Sequence, residues 1–395
     1  MLPAIVGGKP EREEFIPYGK QYIDEEDIQA VNEVLKSPYL TTGPKVEEFE
    51  KKLCEFTGAK YAVAISNGTS ALHAACYAAG IKAGDEVITT PITFAASANC
   101  ILYCGGTPVF ADIDPDTWNI SPKEIEKKIT SKTKAVIAVD FTGQAVQLDE
   151  IREICKKHKL ILIEDAAHSI GTKYNGVPVG GIADLTTFSF HPVKTITCGE
   201  GGAILTNNKE FYKKMQLFRS HGITRETKLM TQNPYNGYNE QIELGYNYRM
   251  TDFQAALGSS QLSKLEIFSQ RRSEIVKQYN EAFSKMPQIT IQKEIPESDT
   301  TRHLYIIRIN SDSLKVGREE IYKAINAENV GLQVHYMPVY HHPYYQKLGY
   351  KKGLCPVAES LYEEIITIPL YYSLTNEDVE SIINAITKVV DYYRK

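Results

Sequence analysis

The sequence has no apolar run near the roughly 20 residues that a membrane-spanning helix needs. It also has no C-x-x-C pair among its seven cysteines and no excess of basic residues. Each absence removes a class of function. Without a long apolar segment the chain is expected to be soluble, with no membrane partner. An odd number of scattered cysteines fits reduced thiols better than a disulfide framework or a structural zinc site, so Cys198 reads as small loop filler. A formal net charge of −5 and a pI near 6.1 leave no electrostatic footprint for nucleic acid. The N-terminal stretch MLPAIVGGKPEREEF lacks a basic n-region and continues acidic, so it does not read as a signal peptide, and the expected location is the cytoplasm. Internal repeats and low-complexity tracts are also lacking.

What is present is an ordinary enzyme-like composition, 43% hydrophobic and 24% charged, spread over 395 residues. That length exceeds what one hydrophobic core usually serves, so a large domain over residues 1–260 and a smaller one over 261–395 are expected. DEEDIQAVNEVLKS, from Asp24, has acids in its first turn and apolar residues at helical spacing. Short apolar runs (YAVAIS, EVITT, PVFADI, AVIAVDF, LILIED) then alternate with helical patterns. This rhythm predicts an α/β fold whose mostly parallel sheet carries helices on both faces. Past Gln261 the texture changes to a long helical run and then mixed strands and helices. TRETKLMTQNPYNGYNEQIELG reads as a long functional or interface loop. The pairs Lys156-Lys157 and Arg271-Arg272 read as solvated helix faces.

In such sheets ligands bind in the crevice beyond the carboxyl ends of the strands. One strand-end segment, TTFSFHPVKTITCGEGGAILTN, holds Lys194 between a β-prone run and a glycine-rich loop, where a lysine is expected to be half-buried and reactive. In ILIEDAAHSIG, Asp165 closes an apolar strand, and a carboxylate there needs a cation or a protonated nitrogen. His168 follows three residues later. SNGTSALHAACYAAG starts a helix at Gly68, Thr69 and Ser70, which suits a phosphate or, with equal weight, an ordinary N-cap. Phe94 adds an aromatic face. Lysine, strand-end carboxylate, phosphate-type helix start and aromatic ring together are what pyridoxal phosphate asks for.

Residues 16 to about 390 resemble the DegT/DnrJ/EryC1/StrS family of pyridoxal-phosphate-dependent sugar aminotransferases. The resemblance lies in IPYGKQYIDEEDIQAV, YAVAISNGTSALHAA, DEVITTPITFAASANCILYCGGTPVFADIDPDTWNI, EDAAHSIG, FSFHPVKTITCGEGGAILTN, RSHGI and GYNYRMTDFQAALG. It implies a fold type I aminotransferase that forms a homodimer with both active sites at the subunit interface. By position, it makes Lys194 the Schiff-base lysine, Asp165 the partner of the pyridine nitrogen and Phe94 the ring that stacks on the cofactor. Thr69 and Ser189 match phosphate contacts, with Gly68 and Ser70 beside them. Asn247 matches a residue that reaches the phosphate across the interface, and His168 a group near the ring hydroxyl.

VDFTGQ, RSHGI and VHYMPVYHHPYYQKLGY resemble the members of the pseudaminic acid pathway, which aminate C4 of a UDP-linked 4-keto-6-deoxy-N-acetylhexosamine. The resemblance therefore implies L-glutamate as donor and substrate contacts from His221, Arg249, His335 and Tyr336. A sugar dehydratase of this fold carries histidine where Lys194 stands, and a non-catalytic regulator would show an incomplete residue set. No metal site is expected, because His335, His341 and His342 lack zinc-type spacing and a carboxylate partner. Tyr336, Tyr340, Tyr344 and Tyr345 are read either as sugar and diphosphate contacts or as domain packing.

Overall fold

A computed structural model of the chain describes residues 2–232 and 235–395. The five expected strands form as β1 (Tyr61–Ile65), β2 (Glu86–Thr89), β3 (Thr107–Phe110), β4 (Thr133–Val139) and β5 (Ile161–Asp165). They are joined by β6 (Leu185–Ser189) and β7 (Gly202–Thr206), which flank the Lys194 loop. The seven strands lie in the order β1-β7-β6-β5-β4-β2-β3. All pairs are parallel except those of β7, which runs antiparallel to both its neighbours. Hydrophobic clusters pack on the sheet, one around Phe49, Val136, Leu162 and Phe188 and another around Val63, Ala75, Ile137 and Ile204. Alternate residues of one strand thus feed different cores, as a sheet covered on both faces requires.

The smaller C-terminal α/β unit has its own sheet of β8 (Ile289–Ile291), β9 (Tyr305–Ile309) and β10 (Ile365–Ile368), all antiparallel. The helices Leu265–Phe283 and Asn376–Tyr393 share its core. The N-terminal segment crosses the expected boundary at residue 260. Ile16 lies in the same cluster as Ile275, Ile307 and Ile386, and the buried Glu328 carboxylate accepts from the amides of Ala4 and Glu11, each at 2.7 Å.

Local signals are realised where the sequence carries them. Asp24 caps the helix Glu25–Leu35, its carboxylate accepting from Glu26 and Asp27 amides while Asp27 returns a bond to the Asp24 amide. The helical run past Gln261 is broken, because one helix ends at Ser263 and the next begins at Leu265. Within the expected loop, residues 225–239 form no strand or helix among the described residues, but Glu240 and Gln241 pair antiparallel with Ile223 and Thr224; Asn233 and Pro234 lie outside the described residues.

One expectation fails. Lys156 and Lys157 are exposed, but Arg272 is 3% exposed and its guanidinium donates to the carbonyls of Leu370, His303 and Arg302 at 3.0, 3.3 and 3.4 Å. Helix Leu265–Phe283 crosses from the large unit to the small one, so its inward face meets the carbonyls before β9 and after β10, which need a donor. A pair of adjacent arginines cannot show that only one of them faces outward.

Candidate active site

The carboxyl ends of β5 and β6, the start of helix Gly68–Ala78 and the Lys194 loop surround a cavity of about 820 Å³. It is the largest of the described pockets. Gly68, Thr69, Ser70, Phe94, Asp165, His168, Ser189, Lys194, His335 and Tyr336 all border it, whereas His221, Arg249 and Asn247 do not. Sequence positions from 68 to 336 thus converge on one space.

Lys194 stands in the turn after β6, its amide bonded to the His191 carbonyl at 2.9 Å. Burial pushes its ammonium down to about 8, against the opposing pull of the Asp165 carboxylate. A lysine so poised is partly neutral near physiological pH, as a nucleophile or proton carrier must be. Asp165 ends β5 and is 3% exposed. Its Oδ2 accepts from the Ser97 hydroxyl at 2.7 Å and its Oδ1 from the Ala167 amide at 3.2 Å. Burial raises its pKa, while these two donors and the Lys194 charge act to hold it ionised. Asp165 therefore caps a tight turn rather than a helix. Ser97 is a contact that the sequence reading missed; its one local signal is the hydroxyl of Thr93 a helical turn earlier, bonded to it at 2.7 Å.

At the helix start the cap is Asn67 rather than Thr69 or Ser70. Its Oδ1 accepts from the Ser70 amide at 2.8 Å, and the Ser70 hydroxyl bonds back to the Asn67 amide and carbonyl. That commits Ser70 Oγ to the capping box. Among the described residues the amides of Gly68 and Thr69 have no acceptor, and they point toward the positive end of the helix dipole. A Cβ on Gly68 would lie 2.8 Å from Ser189 Cβ, and one on Gly202 would lie 2.5 Å from the Asn67 carbonyl oxygen. Glycine at these two positions lets β6 and β7 press against the helix start.

Opposite, Phe94 keeps 62% of its surface exposed although it sits beside the cavity. His335 and Tyr336 come from the small unit; the His335 Nδ1 lies 2.9 Å from Thr367 Oγ1, and the Tyr336 hydroxyl lies 3.2 Å from His168 Nε2. Burial and the Lys194 charge lower the pKa of His168 well below that of a free imidazole and that of His335 to about 4. Both are therefore neutral. Tyr18, on the N-terminal segment, also borders the cavity and was not foreseen, because its approach depends on the docking of that segment beside Gly331. The aromatic segment after Tyr336 divides: Tyr340 and Tyr345 are fully buried packing residues, and His341 does have a carboxylate neighbour, Glu359, at 3.4 Å. His221, at φ 61°, and Asn247 are both exposed, and Asn247 forms an isolated antiparallel bridge with Ser220, the residue before His221.

An electron-poor ring with a phosphate fits this arrangement. Free helix amides and the Ser189 hydroxyl offer an anion cradle, the Asp165 carboxyl group lies where a protonated ring nitrogen would be paired, and the Lys194 amine is bare of hydrogen bonds among the described residues. A model of the DegT/DnrJ/EryC1/StrS aminotransferase family matches residues 21–387.

The chain belongs to the DegT/DnrJ/EryC1/StrS aminotransferase family. An uncharacterized protein of Methanocaldococcus jannaschii is 43% identical over 97% of this chain and all of its own length. The spore coat polysaccharide biosynthesis protein SpsC of Bacillus subtilis is 40% identical over 96% of this chain and 98% of its own. The UDP-4-amino-4,6-dideoxy-N-acetyl-beta-L-altrosamine transaminase of Campylobacter jejuni is 39% identical over 96% and 99%. Among solved structures, the Helicobacter pylori aminotransferase PseC of pseudaminic acid biosynthesis superposes with a TM-score of 0.89 at 36% identity, covering 96% of this chain and 100% of that one. A sugar aminotransferase of Streptococcus pneumoniae, solved in PLP and PMP forms, gives 0.89 at 31% identity over 96% of this chain. Family membership accounts for the parallel sheet with its smaller C-terminal unit.

Proposed function

We propose that the protein transfers an amino group from L-glutamate to C4 of a UDP-linked 4-keto-6-deoxy-N-acetylhexosamine, with pyridoxal phosphate as cofactor, for pseudaminic acid or a related surface glycan. The observation that carries this reading is the convergence of Lys194, Asp165 and the free amides of Gly68 and Thr69 on one cavity. When bound, pyridoxal phosphate supplies the electron sink for the pair left behind as a proton leaves the amino-bearing carbon. Lys194, with its lowered pKa, takes that proton and returns it. Asp165, held by Ser97 and the Ala167 amide, keeps the ring nitrogen protonated. The helix start and Ser189 would hold the phosphate, Phe94 would cover the ring and neutral His168 would stand near the ring hydroxyl. Donor and acceptor use the same site in turn: glutamate leaves as 2-oxoglutarate, and the keto-sugar then receives the amino group.

The reading includes a cytoplasmic homodimer, with residues 1–260 as the cofactor domain, its N-terminal segment docked on the small domain of residues 261–395. Asn247, Arg249 and His221 do not line their own chain's cavity, although Tyr248 between two of them does, and they are assigned to a partner's site. Leu40, 49% exposed, and Leu244, 75% exposed, leave apolar surface in need of cover beside these segments. Among the described residues no helix is long and apolar enough to cross a membrane. His335 and Tyr336 are the substrate contacts from the chain's own small domain.

A second reading keeps the chemistry and changes the sugar. The spore coat polysaccharide relative is as similar as the altrosamine transaminase, which favours another nucleotide-linked keto-sugar. The experiment is to incubate the pure protein with glutamate and a panel of nucleotide-linked keto-sugars, and to identify products by mass and NMR. A 4-amino product from the UDP-linked 4-keto-6-deoxy-N-acetylhexosamine supports the first reading. Turnover confined to another sugar selects the second, and no amino-sugar from any of them removes both.

A further inference from the structure

His303 does not border the cavity, yet it is 5% exposed and packed on His168, the ring centroids 4.7 Å apart at 49°. The Nδ1 atoms of both rings are buried and without a hydrogen-bond partner. One such atom is costly, and two in touching rings answer each other: a neutral imidazole has one donor and one acceptor nitrogen, so one ring can offer what the other lacks. The backbone around His303 holds the ring in place. Its amide donates to the Thr142 carbonyl at 2.8 Å, its carbonyl accepts from Arg272 at 3.3 Å, and Leu304 donates to the same Thr142 oxygen at 3.2 Å. Thr142 is itself held at φ 65°, a left-handed conformation rare for a β-branched residue. His303 thus rests on a rigid seam between the end of β4 and the start of β9.

The far side of His168 gives the direction of the bonds. Tyr336 has one hydrogen-bond partner for its hydroxyl among the described residues, His168 Nε2. Burial raises the pKa of that phenol, so it is a neutral donor, and imidazole nitrogen is the acceptor within reach. Burial above all, and then Lys194, His168, Arg272 and His335 around it, oppose a positive charge on the His303 ring.

We propose that His303 is a positioning residue for amino transfer: its Nδ1 accepts from the Nδ1–H of His168, directly or through one water, and so keeps His168 Nε2 free to accept from Tyr336. One tautomer of His168 is then selected from behind, by a side chain outside the cavity, as a ligating or catalytic histidine is set by the bond its other nitrogen makes. The catalytic consequence rests on the reading of this cavity as the cofactor site. The tautomer does not, and it is measured on the cofactor-free chain.

The full-length chain, labelled with ¹⁵N-histidine, is compared by long-range ¹H–¹⁵N correlation with His303→Phe and His303→Asn, the His168 signals being assigned from a His168→Gln spectrum. Wild type is expected to show His168 protonated at Nδ1 and His303 unprotonated at Nδ1. His303→Phe keeps the ring and loses the acceptor, so His168 becomes a mixture of tautomers. In the loaded enzyme kcat falls about tenfold while KM for glutamate changes little. His303→Asn, whose amide oxygen can take the place of Nδ1, restores the tautomer and most of kcat. An unchanged His168 tautomer in His303→Phe, or a wild-type His303 protonated at Nδ1, overturns the proposal; the second outcome needs no variant to fold. Borohydride fixing of the cofactor to Lys194 tests the cofactor reading separately, so the two can fail independently.

Discussion

Glu164 and Asp165 are neighbours on β5 and face opposite sides of the sheet, and the two carboxyl groups meet the cost of burial in different ways. On the side away from the cavity, Glu164 is fully buried and accepts from Thr186 Oγ1 at 2.9 Å, while its carboxyl also lies against that of Asp140. Burial pushes Glu164 up to about 7, and burial together with the Glu164 charge raises Asp140 well above the carboxylate range. The pair is tolerated by keeping a proton. Toward the cavity, Asp165 has a hydroxyl, an amide and a lysine to support a charge. The same chemical group is thus a structural acid on one face and a poised anion on the other, and what differs is the set of donors.

Four experiments can break that comparison. The largest effect is expected at Asp165. Asp165→Asn is nearly isosteric and should fold, yet turnover should fall by orders of magnitude in each half-reaction measured separately, because an amide cannot hold the proton on a ring nitrogen. Glu164→Gln should stay within about twofold of the parent rate, since its side chain faces away. Equal losses in the two variants would show that the faces are not functionally distinct.

Next, Lys194→Ala and Asn247→Ala should each be inactive, and mixing the two chains should recover activity, since one hybrid site holds both native residues. A fully active Asn247→Ala would rule out a contribution across the interface.

Third in size is a stability effect at Glu164. Its folded pKa lies above the ordinary 4.5, so the folded chain binds more protons than the unfolded one between 4.5 and about 7. Stability from this group is therefore complete at low pH and is lost as pH rises through that window, by up to about 3 kcal/mol. Glu164→Gln removes this slope, so thermal unfolding at pH 8 should show the variant gaining relative to wild type compared with pH 4.5.

The last effect, of similar size, runs the other way. The Lys194 cation is depressed from 10.5 to about 8 in the folded state, so between those values the unfolded chain binds more protons and stability rises with pH. Denaturation of the cofactor-free chain should show that rise, and Lys194→Met should lack it. A parallel pair of profiles would mean that the lysine is not desolvated.

Local pattern made a good part of this protein legible. The alternation of apolar runs with helical periods predicts the parallel sheet, because period and run length are set residue by residue. Lys194 and Asp165 stand out because a charged residue at the end of an apolar strand has few other reasons to be there. Their neighbours were harder to see. Ser97 lies 68 residues from the carboxylate it serves, and His303 looks in sequence like any histidine before a strand.

By itself, then, the sequence determined the strands and helices, the strand-end positions of the lysine and the carboxylate, and the helix start after the first strand. These follow from backbone periodicity and capping, which act over a few residues. Only the tertiary structure decided that the Ser70 hydroxyl closes the cap, that Arg272 turns inward while Lys156 and Lys157 do not, that the N-terminal segment docks on the small unit with Tyr18 at the cavity, and that three histidines from three distant segments gather behind one lysine. Those outcomes depend on which buried polar groups meet across the packed interface, a matter of long-range complementarity that no short window of sequence contains.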